Sequence, residues 1–200
     1  MRIKKNIIYL FLLFLSITSC QKSGSDQGDQ YYNNGQYEEA IAAYTDFLEN
    51  NPNNLKAIYN RGRSYEELGQ LEKAEVDFKR ALSLDEKNVQ VLLSLSNIYQ
   101  KMKKHELALV YSSNATEIPG APAMAFLLKG RAYHQIGNSK EAMTSYNNAI
   151  ERDREFGQAY YYRGMLKLAT DAKQEACKDF RLAIDLNHQQ AKEALAQYCQ

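Results

Sequence analysis

Three cysteines and three histidines hold most of the nucleophilic and metal-binding potential of this 200-residue chain. Catalysis and metal binding both require polar side chains that converge at fixed geometry. The histidines do not supply it. His105, His134 and His188 fall at no metal-ligand spacing, and no more than one cysteine lies near any of them. All three are expected on the surface, and no catalytic set, no metal and no cofactor is expected. The cysteines offer other chemistry. Cys20 closes an apolar run near the N-terminus. Cys177 and Cys199 lie at equal sequence distance from His188, and Leu186-Asn187-His188-Gln189 reads as a turn between two antiparallel helices. Residues equidistant from such a turn sit at the same height, so a disulfide between them is expected. On a chain-entropy account its closed loop contributes about 3 kcal/mol. The alternative is a pair of buried free thiols acting as small apolar groups.

The segment that presents Cys20 begins with Arg2, Lys4 and Lys5. An apolar stretch from Ile7 to Ile17 follows, then small residues. This is the layout of a secretory signal. The run is about half of the ~20 residues that span a bilayer. Leu15-Ser16-Ile17-Thr18-Ser19-Cys20 resembles a bacterial lipobox, with an aliphatic residue three before the cysteine and a small one directly before it. The resemblance implies cleavage before Cys20, a diacylglyceryl group on its thiol and acylation of its new amino end by a chain such as palmitate. Residues 1–19 are therefore expected as a lipoprotein signal peptide, and 20–27 as a lipidated tether. An ordinary cleaved signal or an uncleaved anchor is the alternative. Each buried methylene contributes about 0.8 kcal/mol, so two or three chains on Cys20 hold where one does not. Gln21 replaces the aspartate that resembles an inner-membrane retention signal. The expected location is the outer membrane of a bacterial envelope, with the periplasmic face preferred to the cell surface.

Removing residues 1–19 takes Arg2, Lys4 and Lys5 from the 25 bases and nothing from the 24 acids, which leaves a net charge of about −2. Without a basic stripe, nucleic acid is not an expected partner. The remaining length suits one domain.

Its organisation is periodic. Ala40, Ala74, Ala108, Ala142 and Ala176 recur with a 34-residue stride. Gly28, Gly62, Gly130 and Gly164 keep the same phase, with Ser96 as stand-in. So do Tyr31, Tyr65, Tyr99 and Tyr133, until Lys167 breaks the register. So do Tyr44, Phe78, Tyr146 and Phe180, with Ser112 as the departure. The pattern resembles the helix–turn–helix tetratricopeptide repeat. The resemblance implies an all-α superhelical solenoid of about five repeats, near 21–54, 55–88, 89–122, 123–156 and 157–190. A capping helix at 191–200 covers the open end, and the domain as a whole spans 28–200. The first repeat is the weakest, because Gly24 and Gly28 each cost about 1 kcal/mol in a helix. Its first helix is expected to be short or frayed. The third departs most, with Lys103 at a turn-glycine position and Tyr111 expected to fill part of the space beside Ser112. Asp171 replaces the turn glycine of the fifth. The sequon Asn114-Ala115-Thr116 is discounted, since Ala115 is a core position. The close of the chain, Glu175-Ala176-Cys177-Lys178-Asp179-Phe180 with Tyr198-Cys199, resembles small tetratricopeptide lipoproteins of the Bacteroidota type. The remaining Asp and Glu read as solvated charge on outer faces.

In this family the first helix of each pair lines a concave groove. The residues placed there are Tyr59, Arg63, Leu93, Asn97, Met124, Leu127, Arg131, His134, Gln158, Tyr161 and Met165. Alternating apolar and polar groups suit a peptide, and Arg63 and Arg131 can fork to its carboxylates. The two-carboxylate clamp of chaperone-tail binders is absent, because its places hold Tyr59, Arg63, Ser94, Met124 and Leu128. The expected function is a non-enzymatic scaffold that binds an envelope protein or peptide, with no small-molecule substrate. The alternatives are a regulator that docks a peptidoglycan enzyme and a self-associating envelope component.

Overall fold

The computed structural model describes residues 24–199. The expected signal peptide, Cys20 and the start of the tether lie outside these residues. Eleven α-helices follow one another among the described residues. They are α1 (Gly24–Asn33), α2 (Tyr37–Asn50), α3 (Leu55–Glu67), α4 (Leu71–Leu84), α5 (Val89–Lys101), α6 (His105–Glu117), α7 (Ala123–Gln135), α8 (Ser139–Arg152), α9 (Gly157–Ala169), α10 (Lys173–Asp185) and α11 (Gln190–Tyr198). Each packs on its sequence neighbours, and α1 also meets α3, α5 meets α7, and α7 meets α9. The odd-numbered helices therefore form one layer and the even-numbered helices the other. The all-α repeat solenoid is what the 34-residue stride predicts. The segment assigned to the tether is helical from Gly24 onward, so the array takes in residues 24–27. At the other end α11 buries Ala191 and Ala194 against α10. Cys177 and Cys199 lie at disulfide distance, with sulfurs 2.00 Å apart.

The recurring residue types are a packing rule. A Cβ on Gly62 would sit 2.8 Å from the Phe78 ring, one on Gly130 2.6 Å from Tyr146, and one on Gly164 2.7 Å from Phe180. Each first helix thus gives up a side chain so that the aromatic ring of its partner can lie flat against it. In the third repeat both sides change together. Ser96 and Ser112 are buried, and both hydroxyls donate to the Ala108 carbonyl, at 2.9 and 2.8 Å. Tyr111 stacks on Tyr99 at 5.4 Å and fills space left by the missing ring.

Every turn inside a pair places one residue at positive φ: Gly35, Gly69, Lys103, Gly137 and Asp171. Lys103 holds φ 59°. A left-handed residue with a Cβ costs roughly 1–2 kcal/mol, and glycine returns part of that as chain entropy. Lys103→Gly should therefore stabilise the protein by about 0.5–1 kcal/mol, read as a raised midpoint in urea. A lowered midpoint would show that Lys103 makes a compensating contact.

The first helix, described from Gly24 to Asn33, is pinned. Asp29 accepts from the Tyr44 hydroxyl at 2.6 Å, from Lys56 Nζ at 2.6 Å and from Asn60 Nδ2 at 2.9 Å. Burial pushes its carboxyl up, yet the hydrogen bonds from Lys56, Tyr44 and Asn60 outweigh burial and hold it below the usual range. Between the unfolded value of about 3.9 and the lower folded one, the unfolded chain binds more protons. Stability from this site is therefore complete above that window and lost as pH falls through it. Asp29→Asn should flatten the acid limb of the stability curve below about pH 4 relative to wild type. Parallel acid limbs in the two proteins would remove Asp29 as the cause.

Candidate functional site

The concave layer carries a cavity of about 330 Å³ built from four successive first helices. Tyr59, Arg63 and Glu66 come from α3, and Gln90, Leu93, Ser94 and Asn97 from α5. Met124, Leu128 and Arg131 come from α7, and Gln158 from α9. Residues one or two turns apart on a helix share a face, and the 34-residue stride repeats that face in each copy. A second cavity of about 300 Å³ continues from it. Arg131 is common to both, and His134, Gln135, Tyr146, Tyr161, Tyr162 and Met165 complete the second. Of the eleven residues placed in the groove from sequence, ten line one cavity or the other.

Leu127 is the correction. It is fully buried in a cluster with Ala142, Tyr146, Ala149, Ala159 and Leu166, because α8 and α9 close over that side of α7. Leu128, one residue on and about 100° around the helix, faces the groove instead. Arg63 is also less available than its type implied. It donates to the Tyr32 hydroxyl at 2.9 Å and lies 3.8 Å from Glu66 and 3.6 Å from Glu67. Glu66, itself 9 % exposed, accepts from Asn97 Nδ2 at 2.9 Å and Lys101 Nζ at 2.7 Å. This half of the groove is internally neutralised. Its Tyr59 hydroxyl also pairs with Ser94 Oγ at 3.1 Å. Arg131 is different: its guanidinium stands 4.8 Å over the Tyr162 ring, and no ion pair to it occurs among the described residues.

The histidines depart from the surface expectation. All three are half-buried. Burial holds His134 below its ordinary pKa. It does the same to His188, against a hydrogen bond with Gln190 that raises it. His188 packs on Tyr161 at 4.9 Å because the last turn folds back over α9. Among the described residues no group of three His, Cys, Asp or Glu side chains is arranged to hold a metal ion, and no helix is long and apolar enough to cross a membrane.

The reading of acids as solvated charge fails for Glu66 and for two more. Asp77 and Asp179 are each 2 % exposed. Arg61 forks to Asp77 at 2.8 and 2.7 Å, and Arg163 forks to Asp179 at 2.9 and 2.7 Å. Both pairs are sixteen residues apart and clamp the first helix of a repeat to the second. The signal in the sequence was an arginine directly before the repeat glycine and an aspartate directly before the aromatic residue.

Sequence models of the tetratricopeptide repeat match residues 25–89 and 124–156. No curated protein shows significant sequence similarity to the chain. Among solved structures, MamA 41-end from Desulfovibrio magneticus RS-1 is similar with a TM-score of 0.75 and 20 % identity, covering 84 % of this chain and 94 % of that one. YrrB, described as a TPR protein with an unusual peptide-binding site, gives 0.69 and 23 %, covering 86 % and 89 %. PilW, described as a widely conserved type IV pilus biogenesis factor, gives 0.73 and 20 %, covering 85 % and 76 %. The fold is a tetratricopeptide-repeat solenoid, consistent with a scaffold for protein partners.

Proposed function

We propose that the protein is a non-enzymatic adaptor, anchored by lipid on Cys20 in the outer membrane of a bacterial envelope, that holds a segment of a partner envelope protein in its concave groove. The observation that carries this reading is the cavity shared by α3, α5, α7 and α9. Four repeats contribute to one continuous surface in which Leu93, Met124 and Leu128 alternate with Asn97, Gln90 and Gln158. Apolar anchors provide affinity when desolvated, and the interleaved polar groups fix the register of an incoming chain. Met124 is 36 % exposed, and its flexible thioether adapts to varied side chains. The peptide-binding site ascribed to YrrB and the assembly role ascribed to PilW are in keeping with it.

The test uses intact cells. A photo-crosslinking residue at Met124 should capture a defined envelope protein. Leu93→Asp combined with Met124→Asp should abolish recovery of that protein while the melting temperature stays within a few degrees of wild type. Cys20→Ala should move the protein out of the membrane fraction. Recovery undiminished by the double substitution removes the binding site from the groove, and an unchanged fractionation removes the lipid anchor.

A further inference from the structure

Tyr146 is fully buried, and its hydroxyl has no hydrogen-bond partner among the described residues. A buried O–H without an acceptor carries a desolvation cost that an acceptor on a bound partner would offset. The repeat supplies its own controls. At the same register Tyr44 gives its hydroxyl to Asp29, the residue directly after Gly28. Phe78 and Phe180 carry no hydroxyl, and the residues after their glycines are Arg63 and Met165. Only in the fourth repeat does a tyrosine face a second donor: the residue after Gly130 is Arg131. Arg131 and Tyr146 meet on one cavity of about 300 Å³ whose lining includes His134 and Gln135 but no carboxylate. Burial pushes the Tyr146 hydroxyl above its ordinary pKa, and the Arg131 charge works against that shift. The hydroxyl therefore stays protonated and able to donate.

We propose that this cavity is a carboxylate subsite, and that it takes a Glu or Asp side chain of the bound partner, with Arg131 supplying the charge and Tyr146 a second hydrogen bond. The inference rests on the groove reading. One cation and one neutral donor match the single charge of a carboxylate and leave a phosphate under-satisfied. The rings of Tyr161 and Tyr162 form walls against which side-chain methylenes can lie. A side chain is favoured over a chain terminus by continuity. Arg131 also borders the larger cavity, so a chain lying there passes the subsite and need not end at it.

The probes are three peptides added to the full chain: acetyl-Ala-Ala-Glu-Ala-Ala-amide, its Gln isostere, and acetyl-penta-alanine with a free C-terminus. The readout is NMR of the Arg131 Nε–H and the ring of isotope-labelled Tyr146. The Glu peptide should shift both signals saturably and bind about tenfold tighter than the Gln peptide, and Arg131→Gln or Tyr146→Phe should each weaken it about tenfold. Tyr146→Phe should fold with an undiminished melting temperature, since Phe78 and Phe180 fill the same place in other repeats. Equal binding of the Glu and Gln peptides overturns the proposal. So does a response to the free C-terminus alone, which assigns the site to a terminal carboxylate. So does a lowered melting temperature in Tyr146→Phe, which reveals an internal partner for the hydroxyl. Each of these leaves the groove reading standing, because that reading is decided by Leu93 and Met124.

Discussion

Asp179→Ala should lower the stability of the C-terminal repeats by about 3–5 kcal/mol. The carboxylate is nearly inaccessible and neutralises two cations at once. Arg163 grips it with Nε and Nη2, and Lys167 Nζ lies 2.8 Å from its second oxygen. Arg163 also donates to Asn147 Oδ1 at 2.8 Å, which ties in α8. Deleting the acid leaves two cations at 19 % side-chain exposure facing each other across a gap. Their desolvation was offset by the pairing and is then offset by nothing. Asp77 offers the graded comparison. It holds Arg61 alone, at 16 % exposure, so Asp77→Ala should cost less. Replacing Arg163, Lys167 and Asp179 together by apolar residues of similar size should recover most of the loss, because no charge then stays buried. Arrays of repeats need not unfold in one step, so the measurement is hydrogen exchange resolved by helix. Faster amide exchange confined to α9–α11 is the expected pattern. If Asp179→Ala and Asp77→Ala cost the same, the second cation contributes nothing.

The architecture was legible because its residues are chosen by contact with copies of themselves. An alanine at 108 and a glycine at 130 are dictated by how closely two helices approach, and that constraint returns every 34 residues. The groove was legible nearly as well, since a face that repeats in the core must repeat on the opposite side. Leu127 shows where this stops. Its register is that of Leu93 and Tyr161, both only partly buried, yet the way α8 and α9 close over it is a property of one repeat. Departures of this kind depend on pairs of residues, and a periodic reading takes positions one at a time. Arg61 with Asp77 and Tyr146 beside Arg131 were illegible for the same reason. Each is a relation across two helices, and each residue alone looks like ordinary surface charge or ordinary core. The partner was not legible at all, because the groove records its chemistry only as alternating polar and apolar groups.

Ser96 and Ser112 show such a relation most directly, and they yield the second large effect. Ser112→Phe should destabilise the protein by about 3 kcal/mol, at the upper end of what overpacking costs. It restores the aromatic residue that the other four repeats possess, so a reading by register alone predicts a gain. The geometry of those repeats says otherwise. Their rings approach within 2.5–2.8 Å of where a Cβ on the facing glycine would stand, and Ser96 has that Cβ. The substitution also removes a hydroxyl that donates to the Ala108 carbonyl. Ser96→Gly alone should cost about 1–2 kcal/mol, from one lost hydrogen bond and the lower helix propensity of glycine. Together the two changes rebuild the contact seen between Gly130 and Tyr146. The double variant should lie within about 1 kcal/mol of wild type, which is a coupling of at least about 3 kcal/mol between neighbouring sites. Urea unfolding of the four proteins closes the cycle. Additive losses would mean that the glycine register is set by helix propensity, and that the ring it faces has no part in fixing it. A strong favourable coupling would make the third repeat a compensated pair: two helices that kept their distance by changing both sides of one contact.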